Sequence, residues 1–191
     1  MSGGDVGLLV TAAALVVLAG IFSAADAALA SFSHARAGEL LAEGRAGAKR
    51  LIGLLDDLPR YLNTALLLRM ACEVSAIVLV ALQVDELMHG AWWASVLTAI
   101  AVMLLVSFVV VGVAPRTMGR QHAETVALLS AAPLSLVTRV LGPIPQVLIA
   151  LGNALTPGKG FREGPFSTES ELHELVDLAE ASSLIESEER R

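Results

Sequence analysis

The fold is decided by two uncharged stretches, residues 90–114, GAWWASVLTAIAVMLLVSFVVVGVA, and residues 6–25, VGLLVTAAALVVLAGIFSAA. Each is long enough to cross the roughly 30 Å hydrocarbon core of a bilayer, which takes about 20 residues. A long helix on the surface of a soluble protein would carry a polar stripe at helical spacing, and neither stretch has one. The sequence therefore predicts an all-α integral membrane protein.

The composition agrees with a protein that lies in lipid. Of 191 residues, 55% are hydrophobic and 17% are charged, whereas soluble domains carry about 25% charged residues. Acidic residues crowd the last quarter of the chain, and the basic residues form no stripe with interleaved aromatics, so nucleic acid is not expected as a partner. The single cysteine, Cys72, cannot build a disulfide framework or a zinc site by itself.

Three membrane crossings are predicted, at about residues 6–31, 61–84 and 91–113. The loop at 33–60 carries five lysine and arginine residues, whereas the loop at 85–89 carries none. Cytoplasmic loops are enriched in these residues. The bias places the N-terminus outside the cell and the C-terminus in the cytoplasm, with the bilayer of the cell (inner or plasma) membrane as the partner.

Juxtamembrane amphipathic helices are expected at about 35–58 and 123–155, because apolar residues recur there at helical spacing. Prolines interrupt the second segment and leave no apolar piece long enough to span. The alternative is a proline-kinked fourth crossing, since membrane helices tolerate proline. Residues 1–157 are predicted to form the transmembrane domain, residues 158–167 a linker, and residues 168–191 the start of an acidic cytosolic helical segment.

Asp26 is the first candidate for ion binding. A carboxylate inside a membrane helix is costly unless it faces the bundle interior, a partner or a cavity. Ser23 lies about one turn earlier and can share the same helix face. The alternative is that Asp26 lies near the cytoplasmic end of its helix and reaches water.

A second candidate is the intramembrane charge pair of Arg69 and Glu73, which are four residues apart and face the same side of their helix. One interpretation is structural, with each charge neutralising the other. The functional interpretation is that Glu73 or Asp26 binds a translocated cation while Arg69 controls occupancy. Both interpretations fit the sequence.

The end of the third predicted helix carries Gly112 and Pro115. Pro115 lacks a backbone donor and frees a carbonyl near Val111, and Gly112 lets the backbone approach another helix or an ion. Carbonyl oxygens that face a cavity are good ligands for hard cations such as Mg²⁺. The alternative is a simple helix terminus.

Taken in order, these motifs resemble the CorC/cyclin M family of magnesium transport proteins. Residues 22–29, FSAADAAL, resemble the family's Phe-Ser-x-x-Glu-x-Ala-Leu pattern, and residues 44–50, GRAGAKR, resemble its glycine- and lysine-bearing juxtamembrane segment. Residues 112–117, GVAPRT, are similar to its Gly-Glu-x-x-Pro-Lys-Thr motif. The acidic tail at 168–189 resembles the helical segment that precedes a CBS-domain pair.

The resemblance implies a homodimeric transmembrane domain, cut before its own cytosolic CBS domains, that transports Mg²⁺ with Na⁺ as the coupling ion. It carries Ser23 and Gly112 over as metal ligands. Val113 stands where the family has an acidic residue, and Arg69 and Met70 stand where it has a pair of asparagines. Glu73 stands where the family has a later asparagine.

Two classes of function follow from these observations. The first is a divalent-cation transporter or exporter, with Ser23, Asp26, Glu73 and Gly112 at its ion site. The alternative is a membrane anchor or regulatory scaffold without ion transport, because two expected ligands are absent. No enzymatic activity is predicted, since the spans contain no paired aspartates and no serine–histidine set.

Overall fold

The computed structural model describes residues 3–88 and 92–155, and every regular element within them is helical. The all-α class is therefore confirmed for this part of the chain. In order, the helices are α1 Gly3–Ala30, α2 His34–Ala42, α3 Ala48–Leu55, α4 Leu58–Leu87, α5 Trp92–Val106, a π-helical segment Ser107–Val113, α6 Ala114–Gln121, α7 Ala123–Leu141 and α8 Pro143–Leu155.

The chain divides into two compact units, Met1–Pro145 and Gln146–Arg191. The candidate ion site lies in the first unit. The second unit is described over residues 146–155, which belong to α8. The predicted linker at 158–167 and the acidic segment at 168–191 lie outside the described residues.

Four helices among the described residues are long and apolar enough to cross a membrane, judged by length and composition: Val6–Ala30, Leu58–Leu87, Trp92–Gln121 and Ala123–Leu141. The count therefore differs from the predicted three. The added candidate is α7, in which the helix continues through Pro133 and is not interrupted there. Proline can lie inside a long helix when neighbouring groups satisfy the freed backbone.

Membrane topology stays a prediction and can be measured by cysteine accessibility. With Cys72 replaced by alanine, Ser2→Cys should react with an impermeant thiol reagent on intact cells, and Ser170→Cys should not. The physical reason is the lysine and arginine bias of the first loop, which favours the cytoplasm. Labelling at both positions would mean that α7 crosses the membrane and that the three-crossing topology is wrong.

α1 is the helix around which the first unit is assembled, because it packs against α4, the π-helical segment, α6 and α7. A Cβ atom at Gly20 would lie 3.1 Å from the Val110 carbonyl oxygen, and one at Gly119 would collide with the backbone of Ala24. Small residues allow this close approach of helix backbones in membranes. The buried face of α1 is accordingly rich in alanine: Ala12, Ala19, Ala25, Ala27 and Ala28.

An apolar layer joins the three long helices next to the predicted ion-site residues. Its buried members come from α1, α4, α5 and the π-helical segment, namely Val16, Ala19, Ala76, Met103 and Val111. Cys72 packs against this layer as a partly buried neighbour. The layer fixes how the polar residues one turn away are placed relative to each other.

Two short helices connect the first long helix to the second. The break between α2 and α3 falls at Gly44 and Gly47, whose φ angles of 72° and 92° lie in the left-handed region that glycine adopts without steric cost. α3 buries one side, with Ala48, Leu51, Leu54 and Leu55 inside. Its pattern is that of the amphipathic helix predicted here.

An exposed ion-pair cluster ties α2 and the following loop to the start of α7. Arg36 and Arg45 contact the Glu124 carboxylate at 3.1 and 3.0 Å, and Arg36 also bonds Glu39 at 2.6 Å. Hydrogen bonds to Glu39 and Glu124 raise the pKa of the Arg36 guanidinium above its ordinary value. Glu124 lies in the first turn of α7, where the helix dipole favours an acid.

Candidate functional site

Three of the predicted site residues lie within about one turn of the apolar layer along their helices. Ser23 follows a layer residue of α1 by one turn, Glu73 precedes a layer residue of α4 by about one turn, and Gly112 adjoins one in the π-helical segment. Three helices therefore contribute groups to the same region. Below, this region is called the polar cluster: Ser23, Asp26, Arg69, Glu73, Gly112 and Arg116.

Ser23 is fully buried, and its hydroxyl oxygen has no hydrogen-bond partner within the described part of the protein. Other helical hydroxyl groups here donate to a carbonyl three or four residues earlier, as in Thr11, Ser31, Thr64, Ser75 and Thr117. A buried polar group without a partner costs about 1–3 kcal/mol. The Ser23 hydroxyl is therefore an available ligand.

Asp26 lies on the same side of α1, four residues before the helix ends at Ala30. Its carboxyl oxygen Oδ1 is buried and lacks a hydrogen-bond partner among the described residues, although the side chain as a whole is only partly buried. Arg69 and Arg116 lie near enough to act electrostatically on this carboxylate. Asp26 thus faces charged groups of two other helices.

Arg69 and Glu73 form the predicted pair, with Nε and Oε2 3.8 Å apart and each side chain 20% exposed. That distance exceeds the range of an N–H···O hydrogen bond. The Nε atom is buried and has no hydrogen-bond partner in the described residues. The pair is therefore held by charge and not by a fixed hydrogen bond.

The third helix contributes backbone oxygens through its π-helical segment. There the amide of Ala114 bonds the carbonyl of Val109, five residues back. In this register the next carbonyl, that of Val110, would require an N–H from Pro115, which has none. The Val110 oxygen faces α1 at Gly20, so the carbonyl expected near Val111 belongs to Val110.

Two groups of this region were not predicted from the sequence, and a third, the Val110 carbonyl, was expected one residue later, near Val111. The Val110 carbonyl carried a signal, because proline lies five residues later, but only a π-helical register makes that spacing relevant. The Ser107 hydroxyl is buried without a partner in the described residues, and a serine in an apolar run gives little signal. Arg116 appeared to follow the end of a helix, whereas the helix continues to Gln121.

The family description "Cyclin M transmembrane N-terminal domain" matches residues 10–189, nearly the whole chain. The chain belongs to the cyclin M transmembrane domain family. The resemblance seen in the order of the sequence motifs is confirmed.

Relatives of this cyclin M domain occur in distant organisms. The chain is 46% identical over 177 residues to UPF0053 proteins of Mycobacterium bovis and Mycobacterium tuberculosis, covering 93% of this chain and 40% of each relative. It is 28% identical over 187 residues to a UPF0053 protein of Synechocystis, covering 96% of this chain and 52% of that protein. The chain thus spans about half or less of the length of these relatives.

The polar cluster of this cyclin M domain offers a mixed set of groups. Its oxygens are the Ser23 hydroxyl, the Asp26 and Glu73 carboxylates and backbone carbonyls of the π-helical segment, and its cations are two guanidinium groups. Across residues 3–88 and 92–155, no three His, Cys, Asp or Glu side chains form a group that could hold a metal ion. Hard oxygens of this kind suit Mg²⁺ more than a transition metal.

Proposed function

We propose that this domain binds and translocates a divalent cation, with Mg²⁺ as cargo and Na⁺ as the coupling ion. The observation that carries the proposal is the buried, unpartnered Ser23 hydroxyl beside the Asp26 carboxylate within a membrane helix. Polar groups at such depth are costly and mark ion pathways. Glu73 adds a second carboxylate, and Gly112 and its neighbours add carbonyls.

The oxygens of the polar cluster suit partial dehydration of the ion. Mg²⁺ demands six oxygens in octahedral geometry and gives up water reluctantly. A site with a hydroxyl, carbonyls and a carboxylate would keep several of the ion's waters and bind it weakly. Weak binding suits a transporter, because the ion must also leave.

The assembly and its location are part of the same proposal. The domain acts as a homodimer in the cell membrane, with the N-terminus outside and the C-terminus in the cytoplasm, and CBS domains of the full-length chain regulate it. Support comes from the family assignment and from the lysine and arginine bias. No enzymatic activity forms part of the proposal.

A second candidate function is a membrane anchor or regulatory scaffold without ion transport. Arg69 and Arg116 favour it, because both bring positive charge to Asp26. Val113, where the family carries an acid, favours it as well. In this alternative the polar cluster only stabilises the helix bundle.

Thermal unfolding of the purified domain across a MgCl₂ series tests the transporter proposal. At 100 times the dissociation constant, bound ion should stabilise the fold by about 2.7 kcal/mol, which is measurable as a rise in Tm. Calcium and sodium series measure selectivity. Ser23→Ala and Glu73→Gln should each reduce the Mg²⁺-dependent rise.

The matched control is Ser31→Ala, also in α1, because the Ser31 hydroxyl already bonds the Ala27 and Ala28 carbonyls. Its Mg²⁺-dependent rise should equal that of the wild type. If the wild-type domain shows no rise in Tm with any of the three cations, the scaffold function replaces the transporter.

A further inference from the structure

We propose that the Arg69 guanidinium is a tethered cation that occupies the site between Asp26 and Glu73, so that an incoming ion binds only by displacing it. The inference rests on the proposed function, because it concerns regulation of the same site. It makes Arg69 the residue that sets cation affinity and the preference between divalent and monovalent ions.

The position of Arg69 along α4 is the first argument. The helix begins at Leu58, so Arg69 lies about 16 Å along it at 1.5 Å per residue. A charge that deep in a membrane helix faces the bundle interior or a cavity, not lipid. The side chain is only 20% exposed and lies 3.8 Å from Glu73 of α4, and Asp26 of α1 is within electrostatic range.

The looseness of its contacts is the second argument. Arginine that serves a structural role commonly binds a carboxylate through two parallel N–H···O bonds. Arg69 Nε instead lies 3.8 Å from Glu73 Oε2 and has no hydrogen-bond partner in the described part of the chain. A guanidinium held by charge alone can exchange for another cation without the loss of directed bonds.

Unused acceptors on α1 are the third argument. Asp26 Oδ1 and the Ser23 hydroxyl are both buried and unpartnered in the described residues. Arg69 compensates the charge of Asp26 without saturating its oxygens. An ion that entered next to Ser23 could bind these oxygens without first breaking a hydrogen bond to them.

Charge balance makes displacement necessary. Asp26 and Glu73 contribute two negative charges, and Arg69 and Arg116 contribute two positive charges nearby. With Arg69 in place, an added cation gains no net attraction. When Arg69 swings away, two carboxylates face one remaining arginine, and the cation is attracted.

Electrostatic repulsion is proportional to the charge of the ion. Displacing Arg69 costs the same free energy whichever ion enters, but the displaced guanidinium stays tethered to α4 and still repels the bound ion, twice as strongly for Mg²⁺ as for Na⁺. Removing Arg69 should therefore tighten the binding of both ions, and that of Mg²⁺ by the larger factor. A residue that only stabilised the fold would change both constants by the same factor or by none. The ratio of the two factors separates the two roles.

The test is calorimetric titration of the purified domain with MgCl₂ and with NaCl. Arg69→Gln should bind Mg²⁺ at least about tenfold more tightly than the wild type, equivalent to about 1.4 kcal/mol. Na⁺ binding should also tighten, but by a smaller factor, because the repulsion that is removed is half as large for a monovalent ion. Arg120→Gln is the matched control, since Arg120 is an exposed arginine one turn after Arg116, and both constants should be unchanged.

A rescue experiment gives a second readout that does not depend on the stability of one variant. Glu73→Gln alone should lose Mg²⁺ binding, because Asp26 is then the one carboxylate that attracts the Arg69 guanidinium, and Arg69 is harder to displace from it. Adding Arg69→Gln should restore binding, although the site has lost a carboxylate. The double variant keeps the net charge of the cluster, which favours folding.

The outcomes separate the inference from the proposed function. If wild type and Arg69→Gln both bind and the variant binds more tightly, both hold. If only Arg69→Gln binds, the tethered cation is supported and transport by the wild-type chain is overturned. Equal or weaker binding by a folded Arg69→Gln overturns the inference and leaves the proposed function, and binding by neither overturns both.

Discussion

Arg69→Met is expected to destabilise the domain by about 3–5 kcal/mol when no divalent cation is present, because it leaves a buried carboxylate without a compensating charge. Arg69 pairs with Glu73 and acts electrostatically on Asp26, so its loss removes compensating charge from two carboxylates. Glu73→Met should cost less, since Asp26 still compensates Arg69. Unfolding in detergent with a chelator present measures both variants against the wild type.

The double variant Arg69→Met with Glu73→Met completes this cycle. It should be more stable than Arg69→Met alone, because apolar residues of similar size often replace a buried ion pair without loss. Added MgCl₂ should recover part of the stability lost in Arg69→Met, by binding the exposed carboxylates. Wild-type stability of Arg69→Met would show that the pair is solvated and contributes nothing.

Most of the helices could be predicted because uncharged runs of about 20 residues have few other interpretations. The break between the two short helices could be predicted as well, since Gly44 and Gly47 are closely spaced glycines in an otherwise helical pattern. The end of the third helix was not. Pro115 indicated a terminus near 113, yet the helix continues to Gln121, because α6 starts with proline in its first turn, where an N–H is not required.

The span count differed for a related reason. Prolines were predicted to interrupt residues 123–155, with a proline-kinked fourth crossing as the alternative, whereas α7 runs through Pro133 as one helix of 19 residues. Whether a proline interrupts a helix depends on which neighbouring groups satisfy the freed carbonyl. That information lies in the packing of α7 against other helices, and no local pattern contains it.

The charged residues of the candidate site could be predicted from the sequence, because charged residues are rare within apolar runs. Arg69, Glu73 and Asp26 were all identified in this way. Arg116 was missed, and the freed carbonyl was expected near Val111 instead of at Val110, because both groups join the cluster only through the side-by-side packing of α1 and the third helix. That packing is set by Gly20 and Gly119, whose meaning depends on a partner helix that the sequence does not specify.

Gly119 gives the second large effect expected. Replacing a glycine inside a helix by alanine usually stabilises the protein, by up to about 1 kcal/mol. At Gly119 the new Cβ would collide with the backbone of Ala24 in α1. Backbone cannot move aside as a flexible side chain can, so α1 and α6 would have to separate.

We therefore expect Gly119→Ala to lose about 1–3 kcal/mol of stability, the usual cost of overpacking a core. The matched control is Gly53→Ala in α3, where a Cβ would meet no atom within 4 Å, and which should gain up to about 1 kcal/mol. If the two substitutions change the free energy of unfolding in opposite directions, the difference comes from the contact between α6 and α1.

Because Ala24 adjoins Ser23, Gly119→Ala should also reduce the Mg²⁺-dependent rise in Tm, whereas Gly53→Ala should not. A Gly119→Ala domain as stable as Gly53→Ala would contradict the packing of α6 on α1, and with it the placement of Arg116 beside Asp26.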